Sequence, residues 1–387
     1  MNNECETLDQ QFAFLNEADR LKSINRANVL LDDSRPENSA EHSWHVAVWA
    51  LVHAHAAPQG TDIARVISML LLHDIVEIDA GDHPIHLPNG AQSAAETKAA
   101  KRLFGLLPPR IGSPLAQLWA EFEQGETLAA RFAKQIDHAQ PLFQVLCAAN
   151  PRPDHVKIVA DNLAHGRAAD LTQRWPEAHA AATALLAGNP LPASDFAARL
   201  AFLSELDVLK SVSRATTLCD GSRRENSAEH SWHIALYALI LADQASPNVD
   251  ISRVVQMLLL HDIVEIDVGD VPIHSAGGAA HGSAAVLGAE ARAANRIFGL
   301  LPSALNGKLL SLWQEFETAE TADAQFAKSL DRVQPVMQNL QCQGGTWREY
   351  NVTFAQLESR IGVKIAKGAP ELWPYIKSLC LPFLSNA

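Results

Sequence analysis

The sequence predicts an all-α fold built twice from one template, and three observations carry that expectation. Residues 69–79 read MLLLHDIVEID and residues 257–267 repeat the same string, a separation of 188 positions; a self-match this long marks a repeated structural unit. Apolar residues recur at helical spacing, as in Phe14, Leu15, Ala18, Leu21 and Ile24, whereas no segment shows the clear alternation of a half-buried strand. Ala, Leu, Glu and Arg, all good helix formers, are prominent throughout. Two tandem helical bundles are therefore expected, residues 1–190 and 191–387, packed as an internal pseudo-dimer. A chain of 387 residues is long enough for each to bury a core of its own.

Each unit opens with a helix, FLNEADRLKSINR at 14–26 and FLSELDVLKSVSR at 202–214. A polar loop follows, DDSRPENSAEHSWH at 32–45 and DGSRRENSAEHSWH at 220–233, in which Ser39 and Ser227 are placed to cap the next helix ahead of Glu41 and Glu229. The stretch from Ile63 to Ile78 is apolar on nearly every side, interrupted by Arg65 and Asp74, so a central buried helix is expected with His73-Asp74 near its C-terminal end. Gly81-Asp82-His83-Pro84 and Gly269-Asp270-Val271-Pro272 supply the breakers. Six residues have been added between His274 and Phe298, after which LWAEFE (118–123) and RFAKQID (131–137) find their counterparts at 312–317 and 325–331. The tails diverge, and the Pro- and Gly-containing segment around 187–195 reads as the linker.

Composition removes several classes of function. No apolar run reaches the roughly 18–20 residues of a membrane span, and the polar, acidic start MNNECETLDQ lacks the features of a secretory signal, so a cytoplasmic protein is expected. A net charge of −13 argues against a nucleic-acid polymer as partner but leaves room for a small anion held by local arginines. The cysteines Cys5, Cys147, Cys219, Cys342 and Cys380 are scattered and never paired as C-x-x-C; they read as small, mostly buried side chains, not as disulfides or thiolate zinc ligands.

The chemistry resides in residues that recur in both units. Adjacent helical residues point about 100° apart, so His73 and Asp74 reach one ion only if the helix end bends or a ligand from elsewhere completes the site. His42/His230 and Asp137/Asp331 are retained in both copies and are the candidates. A carboxylate in an apolar setting such as AKQIDHAQPL is costly unless paired, and a cation offsets that cost. Two imidazoles with two carboxylates suit Mn, Co, Zn or Fe. His45/His233 read as packing or supporting residues, and Trp44/Trp232 as core.

The order His42 … His73-Asp74 … Asp137, with the flanking EHS, HDIVEIDAGD and FAKQID, resembles the HD-domain metal-dependent phosphohydrolases, and within them the 5′-deoxynucleotidase group. The resemblance covers most of residues 8–180 and again most of 196–385. It implies that His42, His73, Asp74 and Asp137 hold one divalent metal (Mn, Co, Zn, Fe or Mg), and His230, His261, Asp262 and Asp331 a second. Glu77 and Glu265 would act as general base or orient the attacking water. Asp82 and Asp270 would lie near the leaving oxygen or sugar, and Arg26, Arg35, Arg214 and Arg223 would grip the phosphate. The implied substrate is a phosphate ester, a nucleoside 5′-monophosphate first, taken by a monomer with an internal pseudo-dimer or by a homodimer. One departure stands out: the group carries Trp after the first phosphate arginine, whereas Ala27 and Ala215 stand here, so a preference for deoxyribose is not implied. Two alternatives stay open. One is other HD-fold chemistry, phosphodiester cleavage or a di-iron oxygenase, in which His86 and His274 would join a second metal. The other is a non-catalytic nucleotide sensor.

Overall fold

The computed structural model describes residues 2–82, 92–275 and 283–384. Helices dominate. In the first half, α1 (Asn2–Ala18), α2 (Ser39–Val52), α3 (Ile63–Leu72), α4 (Glu77–Ala80), α5 (Gln92–Phe104), α6 (Pro109–Gln124) and α7 (Leu128–Leu146) build the bundle. Three further helices, α8 (Pro153–His165), α9 (Leu171–Arg174) and α10 (Pro176–Leu186), close it. The second half repeats the order with α11 (Asp195–Leu206), α12 (Ser227–Ile240), α13 (Ile251–Leu260), α14 (Glu265–Val268), α15 (Ala284–Phe298), α16 (Ser303–Thr318) and α17 (Ala322–Gln341), and ends in short helical segments and a longer helix at Leu372–Leu384. Residues 187–194 join α10 to α11.

Four local features differ from the sequence expectation. The opening helix does not continue to residue 26: it ends at Ala18, tightens into a 3₁₀ turn at Asp19–Ser23, and gives way to a strand. That strand, β1 (Asn25–Val29), pairs antiparallel with β2 (Pro36–Asn38), and β3 (Ser213–Thr217) pairs with β4 (Arg224–Asn226) in the other half. Strands of three to five residues are too short to leave a legible alternation. The cap of α2 is Asn38, not Ser39: its side chain accepts from the Glu41 N–H and the Glu41 carboxylate accepts from the Asn38 N–H, a full capping box repeated by Asn226 and Glu229. Of the cysteines only Cys380 is buried; Cys5 is exposed and the other three are intermediate, and all are free thiols.

The fourth difference creates the site. The apolar pattern through Ile78 does not make one continuous helix, because α3 stops at Leu72. The His73 imidazole takes the Leu70 carbonyl at 2.8 Å, an acceptor that a continuing helix would give to the Asp74 N–H. The chain then tightens, with Ile75 N–H on Leu72 O and Glu77 N–H on Asp74 O, before α4 forms. Gly81, at φ +74°, ends α4 in a conformation that a side chain would strain. The same break follows Leu260.

The two halves meet through α2 and α12, both buried along nearly their whole length. The Trp44 indole N–H donates to Leu259 O, and that of Trp232 to Leu71 O, each at 3.0 Å. Asn38 donates to Glu229 at 2.9 Å, and Asn226 to Glu41 at 2.5 Å. These reciprocal bonds describe a pseudo-two-fold interface within one chain. Among the described residues, no helix is long and apolar enough to cross a membrane.

Candidate functional site

Three elements bring the first cluster together. His42 sits on α2, one turn past its cap; His73 and Asp74 lie in the break after α3; Asp137 projects from the middle of α7, whose start is fixed by the Thr127 hydroxyl accepting from the Ala130 N–H. His42 Nε2 lies 3.1 Å from Asp137 Oδ1, and His73 Nε2 lies 3.5 Å from the same oxygen and 3.2 Å from Asp74 Oδ1. One ligand atom each from His42, His73 and Asp137 fall within 4.8 Å of one another, as do those of His230, His261 and Asp331. In the second half His230 Nε2 is 3.3 Å from Asp331 Oδ1, and His261 Nε2 is 3.0 Å from Asp262 Oδ1.

The state of His73 tests whether a cation fits. A carbonyl can only accept, so the bond to Leu70 O places the ring proton on Nδ1. In the neutral ring Nε2 is then a lone pair, buried, without a hydrogen-bond partner, and turned toward two carboxylates. His261 repeats this on Leu258 O. Lone pairs facing lone pairs repel unless a positive charge lies between them, and an imidazole whose other nitrogen donates to a carbonyl is how proteins orient a metal ligand. The donor set therefore fits a divalent cation in each half.

Electrostatics agree. Burial pushes the Asp137 carboxyl up, but the neighbouring His42 and His73 rings outweigh it and hold the pKa well below the usual carboxylate range. Asp331 is held low in the same way, with Arg332 as the main opposing charge. Glu77 behaves oppositely: burial and the nearby Asp74 charge push it well above its ordinary value, and Glu265 follows with Asp262. Each of these glutamates accepts a hydroxyl proton at 2.5 Å, from Ser39 and Ser227 respectively.

Arg26 on β1 donates to Asp74 Oδ2 at 2.6 Å and stands 3.9 Å from Glu77; Arg214 does the same to Asp262 at 2.6 Å and stands 3.7 Å from Glu265. Asp82 lines the same cavity, and Asp270 Oδ2 accepts the Ala215 N–H at 3.1 Å. Arg35 and Arg223 are not brought to the site. Arg35 forks onto Glu41 at 2.5 and 3.0 Å and reaches the Lys210 carbonyl of the other half at 2.6 Å; Arg223 does the same to Glu229 and the Lys22 carbonyl. They close the interface, away from both cavities.

A cavity of about 260 Å³ opens onto the first cluster and one of about 360 Å³ onto the second. Arg26/Arg214, Lys134/Lys328, Glu96/Glu290 and Glu123/Glu317 are common to both. Beyond these, Arg167 lines the first, whereas Arg332, Arg360 and Lys364 line the second; Arg332 replaces His138. His274 also lines the second, with Nδ1 3.2 Å from Arg360. Its counterpart His86, like His83, lies outside the described residues. Sequence reasoning missed Glu37/Glu225, which stand behind the His42 and His230 rings at 3.5 and 3.3 Å. Their recurrence at the repeat spacing was the available signal. Asp79 and Asp267, to which the sequence assigned no role, pair with Arg102 and Arg296 at the surface.

A family model described as HD domain matches residues 18–179 and again residues 206–373. The chain belongs to the HD-domain family. Over 134 residues it is 31% identical to the 5′-deoxynucleotidase HDDC2 of Homo sapiens, covering 34% of this chain and 64% of that protein. The Bos taurus counterpart is 30% identical with the same coverage. The 5′-deoxynucleotidase hdd1 of Schizosaccharomyces pombe is 25% identical over 138 residues, covering 35% of this chain and 68% of that protein. The chain thus spans just under two thirds of the length of the mammalian relatives it matches. A crystal structure from Magnetospirillum magnetotacticum MS-1, described as a "Predicted metal-dependent phosphohydrolase", shares 45% identity at a TM-score of 0.45. The match covers 49% of this chain and 96% of that one. In this chain the two histidine and aspartate clusters lie on equivalent elements of the two units.

Proposed function

We propose that the protein is a metal-dependent phosphomonoesterase with two sites, one in each HD unit (residues 1–190 and 191–387), acting on nucleoside 5′-monophosphates. The single observation that carries this reading is the bare, buried Nε2 of His73 and of His261, aimed at carboxylates in a cluster open to a cavity. His42, His73, Asp74 and Asp137 would hold one divalent cation, and His230, His261, Asp262 and Asp331 the other. When bound, such a cation neutralises phosphoryl charge and lowers the pKa of water. Arg26 and Arg214, the guanidinium nearest each cluster, bind and orient the phosphate. Glu77 and Glu265 take a proton from the attacking water as the new P–O bond forms. A cation that offsets the charge of Asp74 and Asp262 would let them ionise, and burial, the largest cause of their raised pKa, would keep them good bases. The P–O bond to the nucleoside breaks, the leaving oxygen takes up a proton from solvent near Asp82 or Asp270, and Glu77 or Glu265 releases the proton it took back to solvent. The deoxynucleotidase names of the relatives support a nucleotide as substrate. Ala27 and Ala215 beside the phosphate arginines place no large ring against the sugar, which favours tolerance of both ribose and deoxyribose.

The test is phosphate release from a panel of ribo- and deoxyribonucleoside 5′-monophosphates by protein loaded with Mn²⁺, Co²⁺, Zn²⁺, Fe²⁺ or Mg²⁺. Turnover of both sugar series with at least one metal is the expected result; no release from any nucleotide would sink the reading.

A further inference from the structure

Two buried clusters outside the sites combine residues of both halves. In one, Lys22 of the first half meets Asp19, Glu225 and His233; in the other, Lys210 of the second half meets Asp207, Glu37 and His45. In each, the three acidic and imidazole partners offer ligand atoms within 4.8 Å of one another, a spacing that could hold an ion. The ammonium group already fills that place. Lys210 Nζ donates to Asp207 Oδ1 at 2.5 Å, Glu37 Oε1 at 2.7 Å and His45 Nδ1 at 2.9 Å. Lys22 Nζ donates to Asp19, to Glu225 Oε1 at 2.6 Å and to His233 Nδ1 at 2.9 Å. Both lysine side chains are fully buried.

The glutamates face two ways. While Glu37 Oε1 holds Lys210, its Oε2 lies 3.5 Å from His42 Nδ1 and 3.9 Å from Arg26. Glu225 Oε2 lies 3.3 Å from His230 Nδ1 and 3.7 Å from Arg214, and Gln334, whose Oε1 stands 3.0 Å from the same Nδ1, donates to Glu225 Oε1 at 2.8 Å. A carboxylate behind an imidazole fixes its rotation and tautomer and raises the basicity of the far nitrogen. Buried ion pairs of this kind add little to stability compared with apolar packing, so stability alone does not explain one in each half.

We propose that Lys210 and Lys22 are positioning residues exchanged between the halves: Lys210 sets the first site through Glu37 and His42, and Lys22 sets the second through Glu225 and His230. Neither site is then complete within its own half. This rests on the reading of His42 and His230 as metal ligands.

The pseudo-symmetry supplies the control. Co²⁺ affinity and its visible absorption band are measured on the full chain with one site disabled, Asp331→Asn to isolate the first and Asp137→Asn to isolate the second. Lys210→Met is expected to weaken Co²⁺ binding at the first site by about 10- to 100-fold and to shift its band. Lys22→Met is expected to have the smaller effect there, and the order is expected to reverse at the second site. A general packing defect would not cross over in this way. If Lys210→Met does not fold, Glu37→Gln, which keeps the shape and removes the charge, is expected to weaken the first site by the same order. Equal effects of the two lysine variants at one site, or changes below about twofold, would overturn the proposal. Single-site proteins that bind no Co²⁺ before any lysine is changed would overturn the ligand assignment, and the proposal with it.

Discussion

Replacing Glu77 with Gln isolates proton transfer from every other task at the first site. Glu77 accepts from the Ser39 hydroxyl at 2.5 Å, and its second oxygen is 3.9 Å from Arg26; a Gln carbonyl oxygen still accepts from Ser39, so the side chain stays in place. Burial and Asp74 already favour the uncharged carboxyl in the metal-free protein, and Gln is a close mimic of that form. Folding stability is therefore expected to change by less than about 1 kcal/mol. What disappears is the base. General-base catalysis contributes about 10²- to 10⁴-fold, and the solvent that enters the open cavity can substitute in part, so a loss of about 10²- to 10³-fold in kcat is expected. That corresponds to about 3–4 kcal/mol of transition-state stabilisation. The assay is phosphate release by the full chain with Asp331→Asn silencing the second site, alongside Co²⁺ binding and thermal melting. Unchanged Co²⁺ affinity with the kcat loss is the expected pattern. A kcat within about threefold of the parent would refute the role of Glu77 as base and leave it a partner of Ser39.

The remaining predictions concern pH and the second cavity. Burial and Arg26 push the His42 imidazole down, but Asp137 and Glu37 outweigh them and raise it above 6.5; His230 is raised by Asp331 and Glu225 against burial and Arg214. A base raised in the folded state contributes stability that is fully present below its unfolded value of 6.5 and is lost as pH climbs through the raised value. Asp137, held low, contributes stability above its unfolded value of 3.8 that is lost as pH falls through the lowered value. Metal-free protein is thus expected to melt highest between these limits and to lose Tm above about pH 6.5, whereas a bound divalent cation removes the alkaline loss; a metal-free Tm that is flat from pH 6 to 8 would contradict this. The extra cations Arg332, Arg360 and Lys364 are expected to favour substrates carrying a second phosphate. KM for a nucleoside 3′,5′-bisphosphate relative to the monophosphate should be about three- to tenfold lower at the isolated second site than at the first, and the gap should shrink with salt. Equal ratios at the two sites would contradict it.

The repeat made much of this legible. His42, His73, Asp74 and Asp137 stood out because residue types with metal chemistry recurred in the same order at the same spacing; ligand atoms of His42, His73 and Asp137 fall within 4.8 Å of one another, and Asp74 lies beside His73. The break after Leu72 was hidden, because apolar residues continue to Ile78 and the helix is ended by a side chain, His73, taking a backbone acceptor. Ser39 was read as the cap one residue late, since Asn38 and Glu41 have the correct spacing. Arg35 looked like a phosphate ligand; only the packing of the second half shows that its fork is already occupied by Glu41 and the Lys210 carbonyl. Lys22 and Lys210 recur at the repeat spacing, but nothing local sets them apart from other repeated residues, because what makes them important is the carboxylate that the other half brings to them.

Metal content and turnover of the Asp137→Asn, Asp331→Asn double variant test the central claim most directly. Parent protein is expected to hold about two divalent cations per chain, one for each cluster of histidines and carboxylates, and to release phosphate from nucleoside monophosphates. The double variant, with the carboxylate shared by both histidines removed from each cluster, is expected to bind neither cation tightly and to release none. Retained metal or surviving turnover would contradict the assignment of the sites, and about four cations per chain in the parent would point to a two-metal centre in each half instead.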